Sequence, residues 1–548
     1  MRLKRGIITG ALGCGIAAAT AATLTTSGAA AHGGAGDPST WNEVPAAPKV
    51  AGLTVPNAVS GQLRLHIAAQ GSIPLDGGTA AVPYYGYDGD GPLLPPPGAL
   101  PAPGTKIEAT KTEPDKNTYL VLHGQKGADP AYNYGYHFLF QGHEAGTPGY
   151  LTRINLDADT AHRVTLMATT DVNGAALPTY DGSTWDPFAR RLLLTAELGA
   201  NGGVWQATLD YPSSVEDISA VTGRAGYEGV QNDSAGQVWL VEDVGGATIS
   251  GTRVRIPNSF VYRFVPDDPS DLAKGGKLQA LQVLSNATHE PITFQAIDAA
   301  HPNGNALSDD QKALHVYGSS FETRWVTVHD TETDTSGLPF DANALAKSAG
   351  ATPFKRPENG VFRPGIGFTE FYFDETGDTN ADSIANDEYG GWGSIFKLAQ
   401  SSPTADSGTL SIVLKGDKAH TAFDNVSFLD GDNLGVVEDA GDTLHTQRGA
   451  LDSGFVVDVT HDYSTGPAPV RFLAEGRDPS ATLDSAFLAY AGFTNDGDNE
   501  ITGIHASNGD PTPRGILGAK VPNLFRDGWR LFWTQQHGDN TTWEIVPS

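Results

Sequence analysis

Cysteine is almost absent: Cys14 is the only one in 548 residues. It lies inside an apolar leader, so a chain trimmed of that leader has no disulfide, no thiolate nucleophile and no thiolate metal ligand. Positive charge is scarce as well. Lys and Arg number 35 against 64 Asp and Glu, a formal net charge of −29. No basic run stands out to neutralise phosphates, which argues against nucleic acid and anionic lipid as partners. An acidic protein can still take a small phosphate ester if bound cations invert the local potential. Beyond the leader no apolar run is long enough to cross a bilayer, so no stable membrane insertion is expected.

Met1–Ala31 reads as a signal peptide. Arg2, Lys4 and Arg5 precede an apolar stretch that ends in Ser27-Gly28-Ala29-Ala30-Ala31, with cleavage expected after Ala31. The expectation is a secreted, extracellular monomer. Residues 32–116 are rich in Pro, Gly and Ala, including Leu93-Leu94-Pro95-Pro96-Pro97-Gly98, and read as an extended arm around the outside of the fold. Residues 117–548 have another texture. Short runs such as Tyr119-Leu120-Val121-Leu122, Val238-Trp239-Leu240-Val241 and Phe455-Val456-Val457 recur between Gly, Asp and Asn turns. Many alternate apolar with polar, the period of half-buried strands. Only Pro269–Ala273 and Ser308–Ala313 look like helix starts. The fold class is therefore all-β, read as an irregular six-bladed β-propeller with an N-terminal arm. The alternative is two sandwiches joined near Thr331–Leu345.

Acidic motifs carry the chemistry. Glu228 sits in Gly226-Tyr227-Glu228-Gly229-Val230, and Glu242-Asp243 end the following apolar run. Arg356-Pro357-Glu358 sets a guanidinium and a carboxylate either side of a stiff proline, so that one could grip phosphate and the other a metal. Asp424-Asn425 and Glu438-Asp439 add oxygen clusters, and Val437-Glu438-Asp439 echoes Val241-Glu242-Asp243. His143-Glu144, Glu500 and Gln536-His537 complete the candidates. Hard oxygen donors of this kind suit Ca²⁺, Mg²⁺ or Fe³⁺, while the spacing excludes an EF-hand.

Taken in order, the Glu228 motif, Arg356-Pro357-Glu358-Asn359-Gly360, Asp424-Asn425 with Phe428, Glu500-Ile501-Thr502-Gly503 and Leu531-Phe532 with Gln536-His537 resemble the PhoX-type alkaline phosphatase family. The likeness runs from roughly His143 to His537. It implies a secreted or periplasmic β-propeller that hydrolyses phosphate monoesters with iron and calcium. It further implies that Arg356 faces phosphate, that Glu144, Glu228 and Glu358 are metal ligands, and that Asp424, Asn425 and Glu500 are calcium-site or channel positions. With the oxygen donors read from the motifs themselves, the expected site has Arg356 and Glu358 as catalytic, Arg356 and His537 as substrate contacts, and Glu197, Asp243 and Asp439 as further metal ligands. Two departures stand out. Where that family carries an iron-bridging cysteine, this chain reads Leu194-Thr195-Ala196-Glu197, and Arg2 and Arg5 do not form a twin-arginine pair. The expected cofactor is Ca²⁺, which needs only oxygen donors, with Fe³⁺ implied by the resemblance. The expected activity is a phosphoesterase on small phosphorylated substrates. The alternatives are a calcium-stabilised binding or scaffold propeller, or another metal-dependent hydrolase of lactonase or phytase type.

Overall fold

The computed structural model describes residues 34–50, 52–86, 112–146, 148–478 and 497–548. The signal peptide expected at Met1–Ala31, with Cys14, and the proline run Leu93–Gly98 lie outside the described residues.

Among the described residues antiparallel strands dominate, in four sheets of four or five strands and one of nine. The strands at one edge of these sheets matter most for the site. They are β1 (Pro114–Val121), β2 (Ser183–Asp186), β3 (Tyr227–Asn232), β4 (Gly360–Phe362), β5 (Phe423–Phe428) and β6 (Glu500–Ser507). Both β3 and β4 belong to the nine-stranded sheet, at its opposite ends. These inner strands adjoin one another in cyclic order, β6 returning to β1, so the sheets stand around a common axis in a propeller-like arrangement. Leu63–Ala69, from the segment read as an arm, pairs antiparallel with the C-terminal strand Thr541–Pro547 and ties the two ends of the chain into one sheet. Ala58–Val59 likewise adds an edge to Val470–Ala474.

Packing between neighbouring sheets follows from the apolar runs. Leu120, Phe138 and Phe140 of one sheet meet Leu192, Leu194 and Trp205 of the next. Trp239 packs edge-on against Trp325 and Phe362, with ring centroids 5.1 and 5.0 Å away, and so joins the two ends of the long sheet. Fully buried side chains of this size are worth about 1.5–3 kcal/mol each, enough to hold the sheets as a rigid frame.

The two-sandwich alternative fails on connectivity. Phe321–Asp330 and Ser407–Lys415, on either side of the supposed linker, pair directly. That linker instead contains a helix, Ala342–Ser348, capped by Asp341, whose side chain accepts from Ala344 N. The helix expected from Ser308 forms as Asp309–Leu314, with Ser308 as its cap. Pro269–Ala273 does not become an α-helix. Only a three-residue 3₁₀ turn, Leu272–Lys274, forms before Gly275 turns the chain at φ 126°. Among the described residues no helix is long and apolar enough to cross a membrane.

Candidate metal and phosphate centre

One acidic residue stands at the head of each inner strand: Asp115 in β1, Asp181 just before β2, Glu228 in β3, Glu358 just before β4, Asp424 in β5 and Glu500 opening β6. A second ring comes from the strand that pairs with each inner strand. The residue immediately after it is Glu144, Glu197, Asp243, Thr376, Asp439 or His537, going round the axis. Because each pair is antiparallel, the start of the inner strand and the end of its neighbour fall at the same rim. The sequence echo at Asp243 and Asp439 is this second ring seen twice.

Local backbone irregularity turns the acids inward. The register breaks between Pro114 and Asn117, between Tyr227 and Val230 and between Phe423 and Val426. Those breaks contain Asp115, Glu228 and Asp424, and bulges re-aim side chains in this way. Two glycines let the strand heads approach. A Cβ on Gly182 would stand 2.3 Å from the Glu228 carbonyl oxygen, and one on Gly229 would stand 2.9 Å from the Glu358 carbonyl oxygen.

The result is a chain of overlapping carboxylate triads. Asp115, Asp181 and Glu228 form one, Glu228, Glu358 and Asp424 a second, and Glu144, Asp181 and Glu197 a third, each with ligand oxygens within 4.8 Å of one another. Burial, and then the neighbouring carboxylates, push Asp115, Asp181, Glu228, Glu358 and Asp424 well above the usual carboxylate range. Both oxygens of Asp181 and Oδ2 of Asp424 are buried without a hydrogen-bond partner. At 4.8 Å each charged pair repels by roughly 3 kcal/mol at an effective dielectric of about 20. Only protons or cations relieve this, and an all-oxygen donor set with orphaned oxygens fits a hard cation such as Ca²⁺. A thiolate-bridged iron pair does not fit, because Ala196, fully buried at its strand end beside Glu197, has no donor to offer.

Two basic side chains border the triads. Arg356 spends Nε and Nη2 on Asp243, at 2.9 and 2.7 Å, and Nη2 also reaches Glu358 at 3.2 Å. Its Nη1 has no partner among the described residues. Burial pulls the guanidinium's pKa down, but Asp243 and Glu358 outweigh it and hold Arg356 firmly charged. The backbone pays for this placement, since Arg356 adopts φ 60° before Pro357, a left-handed conformation that costs a non-glycine residue of order 1 kcal/mol. The loop is pinned there by Lys355, which pairs with Asp378 at 2.8 Å, and by the Thr376 N–H, which donates to the Arg356 carbonyl at 2.9 Å. Thr376 Oγ1 donates to Glu358 as well. The second cation, Lys116, is buried in β1 and donates to Asn359 Oδ1 at 2.7 Å. Its burial lowers the ammonium to about 8 despite Asp115 beside it.

Other expected residues fall beside the triads. Glu500 and Glu113 flank His537, whose Nε2 is 3.5 and 3.1 Å from them, while its Nδ1 is 2.7 Å from the Asp498 carbonyl oxygen. Asp439, next to them in the second ring, is raised to about 7 by burial and then by Asp452. Asn425 is a strand tie, its Nδ2 donating to the Thr502 carbonyl at 3.0 Å. A fourth acidic group, Asp442 with His445 and Asp498, already has its cations. Asp498 pairs with Lys49, with Arg477 Nε at 2.8 Å and with His445 Nδ1 at 3.1 Å. Sequence reasoning missed Asp115, Asp181 and Lys116.

The alkaline phosphatase PhoX family model matches residues 223–508, a little over half of the chain. No curated protein sequence matches it. Among solved structures, that of Pseudomonas fluorescens PhoX in complex with vanadate, a transition state analogue, superposes with a TM-score of 0.53 at 12% identity, covering 92% of this chain and 98% of that one. That likeness shows the fold. The Chaetomium thermophilum Sqt1 structure, bound to the N-terminus of the ribosomal protein L10, scores 0.30 at 11% identity over 79% of this chain and 90% of its own. The pyranose dehydrogenase PQQ domain from Coprinopsis cinerea scores 0.29 at 12% identity over 92% and 100%. These last two scores carry no argument.

Proposed function

We propose that this chain, which belongs to the alkaline phosphatase PhoX family, is a secreted, metal-dependent phosphatase that hydrolyses phosphate monoesters of small molecules at the rim of its inner strands. The observation that carries the reading is the joining of two buried carboxylate triads, and a third that reaches the surface at Glu197, to a guanidinium with one nitrogen free. A calcium-stabilised scaffold has no use for Arg356 held charged at φ 60° beside the ligands. We read the nine-stranded sheet as two blades joined through Phe321–Asp330, which makes the propeller six-bladed. Because one chain supplies every strand head, a monomer suffices.

Glu228, Glu358 and Asp424 would hold one hard cation and Asp115, Asp181 and Glu228 its neighbour, with Glu144 and Glu197 closing the third triad. Ca²⁺ fits these donors, and Fe³⁺ fits them only as an oxygen-ligated ion. Such a cation supplies a Lewis acid to the phosphoryl oxygens. Arg356 Nη1 adds a fixed positive charge where phosphoryl charge builds, already oriented by Asp243, and Lys116 Nζ, held by Asn359, adds a donor that is charged below about pH 8. Asp243 and Glu358 keep the guanidinium aimed, and Thr376 keeps Glu358 from turning away.

The test is p-nitrophenol release from p-nitrophenyl phosphate and bis(p-nitrophenyl) phosphate by wild type and Glu358→Gln. Hydrolysis of the monoester, lost in the variant while the diester stays slow throughout, is expected. Equal turnover by wild type and variant would refute the site, and no turnover by wild type would refute the activity.

A further inference from the structure

Three loops leave the second ring on the same side. One follows Asp243 and carries Thr248, Arg253 and Arg255, another follows Thr376 and carries Asp378 and Thr379, and the last follows Asp439 and carries Gly441 and Asp442. Together they wall a cavity of about 340 Å³. This is the size of a site for a small molecule. It adjoins the ring of strand-head acids, because a Cβ on Gly441 would stand 3.8 Å from Glu500 Oε1, and Lys355, which binds the Arg255 carbonyl at 3.0 Å, is the residue before Arg356.

The charges facing this cavity are unequal. Asp378 is neutralised by Lys355 at 2.8 Å and accepts from the Arg255 N–H at 3.1 Å and the Ser383 hydroxyl at 2.6 Å. Asp442 accepts the Asp498 N–H at 2.8 Å and lies 3.8 Å from Lys49. The guanidinia of Arg253 and Arg255, by contrast, make no hydrogen bond or ion pair among the described residues. In a chain with 64 acidic and only 35 basic residues, two neighbouring arginines left unpaired are positive charge withheld from the protein's own acids. Arg255 is also placed rather than loose. Its backbone is held on both sides, by Asp378 and Lys355, and its Nη1 fills the space beside Gly245, 2.6 Å from where a Cβ would stand. A forked guanidinium recognises carboxylate and phosphate alike.

We propose that Arg253 and Arg255 form a second anion subsite that selects phosphate monoesters whose leaving group itself carries a negative charge. The inference rests on the phosphatase reading and adds the class of substrate. An ester bound with its reacting phosphoryl group at the triads would extend its leaving group into the cavity, where a carboxylate or second phosphate meets the two guanidinia.

The experiment compares kcat/KM for 2-phosphoglycolate, which carries a carboxylate, fructose 1,6-bisphosphate, which carries a second phosphate, and glycerol 2-phosphate, which carries neither. Wild type is set against Arg253→Gln, Arg255→Gln and the double variant. The double variant is expected to lower the charged-to-neutral ratio about tenfold or more, mostly through KM, the loss of two charge-assisted contacts weakened by solvent at a part-exposed site. The wild-type ratio should also fall as ionic strength rises. Loss confined to one of the two charged esters supports the subsite and identifies which anion it takes. A ratio unchanged within twofold in the double variant overturns the subsite while leaving the phosphatase reading intact. Failure of wild type to release phosphate from any of the three esters overturns both.

Discussion

Replacing Asp181 by Asn should raise stability without cations and remove about half of the stabilisation that cations give. Asp181 belongs to two triads, facing Asp115 and Glu228 on one side and Glu144 and Glu197 on the other, all within 4.8 Å. Each fully charged pair there repels by roughly 3 kcal/mol at an effective dielectric of about 20. Protonation absorbs part of that in the apo protein, so a net gain of about 1–3 kcal/mol is expected from deleting the charge. The amide can donate to Glu144 or Glu228, so it is not left orphaned. A chain of 548 residues unfolds with an entropy that converts 1 kcal/mol into roughly 1 °C, which predicts a melting point about 1–3 °C above wild type in EDTA. With Ca²⁺ at a hundredfold over its Kd at both proposed sites, wild type should gain about 5.4 kcal/mol, hence about 5 °C, and Asp181→Asn, which leaves the Glu228, Glu358 and Asp424 site intact, about half of that. Scanning calorimetry at pH 8, with EDTA and with added Ca²⁺, reads all four values. A variant that melts below wild type in EDTA and keeps the full calcium response would show that Asp181 sits in no cation site.

Arg356→Lys should lower phosphatase kcat/KM by about tenfold to a hundredfold, because an ammonium cannot grip Asp243 with two nitrogens and still offer a third to phosphate; steady-state rates equal to wild type would remove it from the site. Gly229→Ala should abolish activity without touching a ligand, since its Cβ would collide with the Glu358 carbonyl oxygen and push β3 from the β4 loop; undiminished turnover would contradict that packing. His445 is held between Asp452 at 2.9 Å and Asp498 at 3.1 Å. Burial lowers its pKa, but the two carboxylates outweigh it and raise it to about 10. Its contribution to stability is therefore complete below about pH 6.5, its unfolded value, and is lost as pH rises through about 10. The stability difference between wild type and His445→Asn, measured by urea unfolding, should shrink from pH 6 to pH 10; a difference that grows over that range would reverse the assigned charge.

The all-β class was legible because apolar runs such as Val238–Val241 alternate with turns. Glu228, Glu358 and Asp424 were legible because a glycine, a proline or an amide beside each marks a special backbone. Asp115 was not. It directly follows Pro114 at the end of the Pro-rich segment and so reads as the tail of an arm, although it begins the strand beside which all the others close. Asp181 in Asp181-Gly182-Ser183 reads as a turn, and only the approach of Gly182 to the Glu228 carbonyl shows why glycine is there. The rule of one acid per strand head has no fixed sequence period, because the loops between sheets differ so much in length. Only the echo of Asp243 in Asp439 betrayed it. The ring emerges when hydrogen bonding aligns the strands, which a linear pattern does not encode.

The most direct test of the central claim, that strand-head carboxylates hold the cations on which phosphate-ester hydrolysis depends, measures bound metal by elemental analysis and p-nitrophenyl phosphate turnover on the same sample. The two are read as purified, after chelation and after Ca²⁺ is returned, for wild type and for Glu228→Gln, which alters two triads at once. Wild type should lose metal and activity together and recover both, while Glu228→Gln recovers neither. Full turnover by metal-free protein, or a Glu228→Gln variant with wild-type metal content, would contradict it.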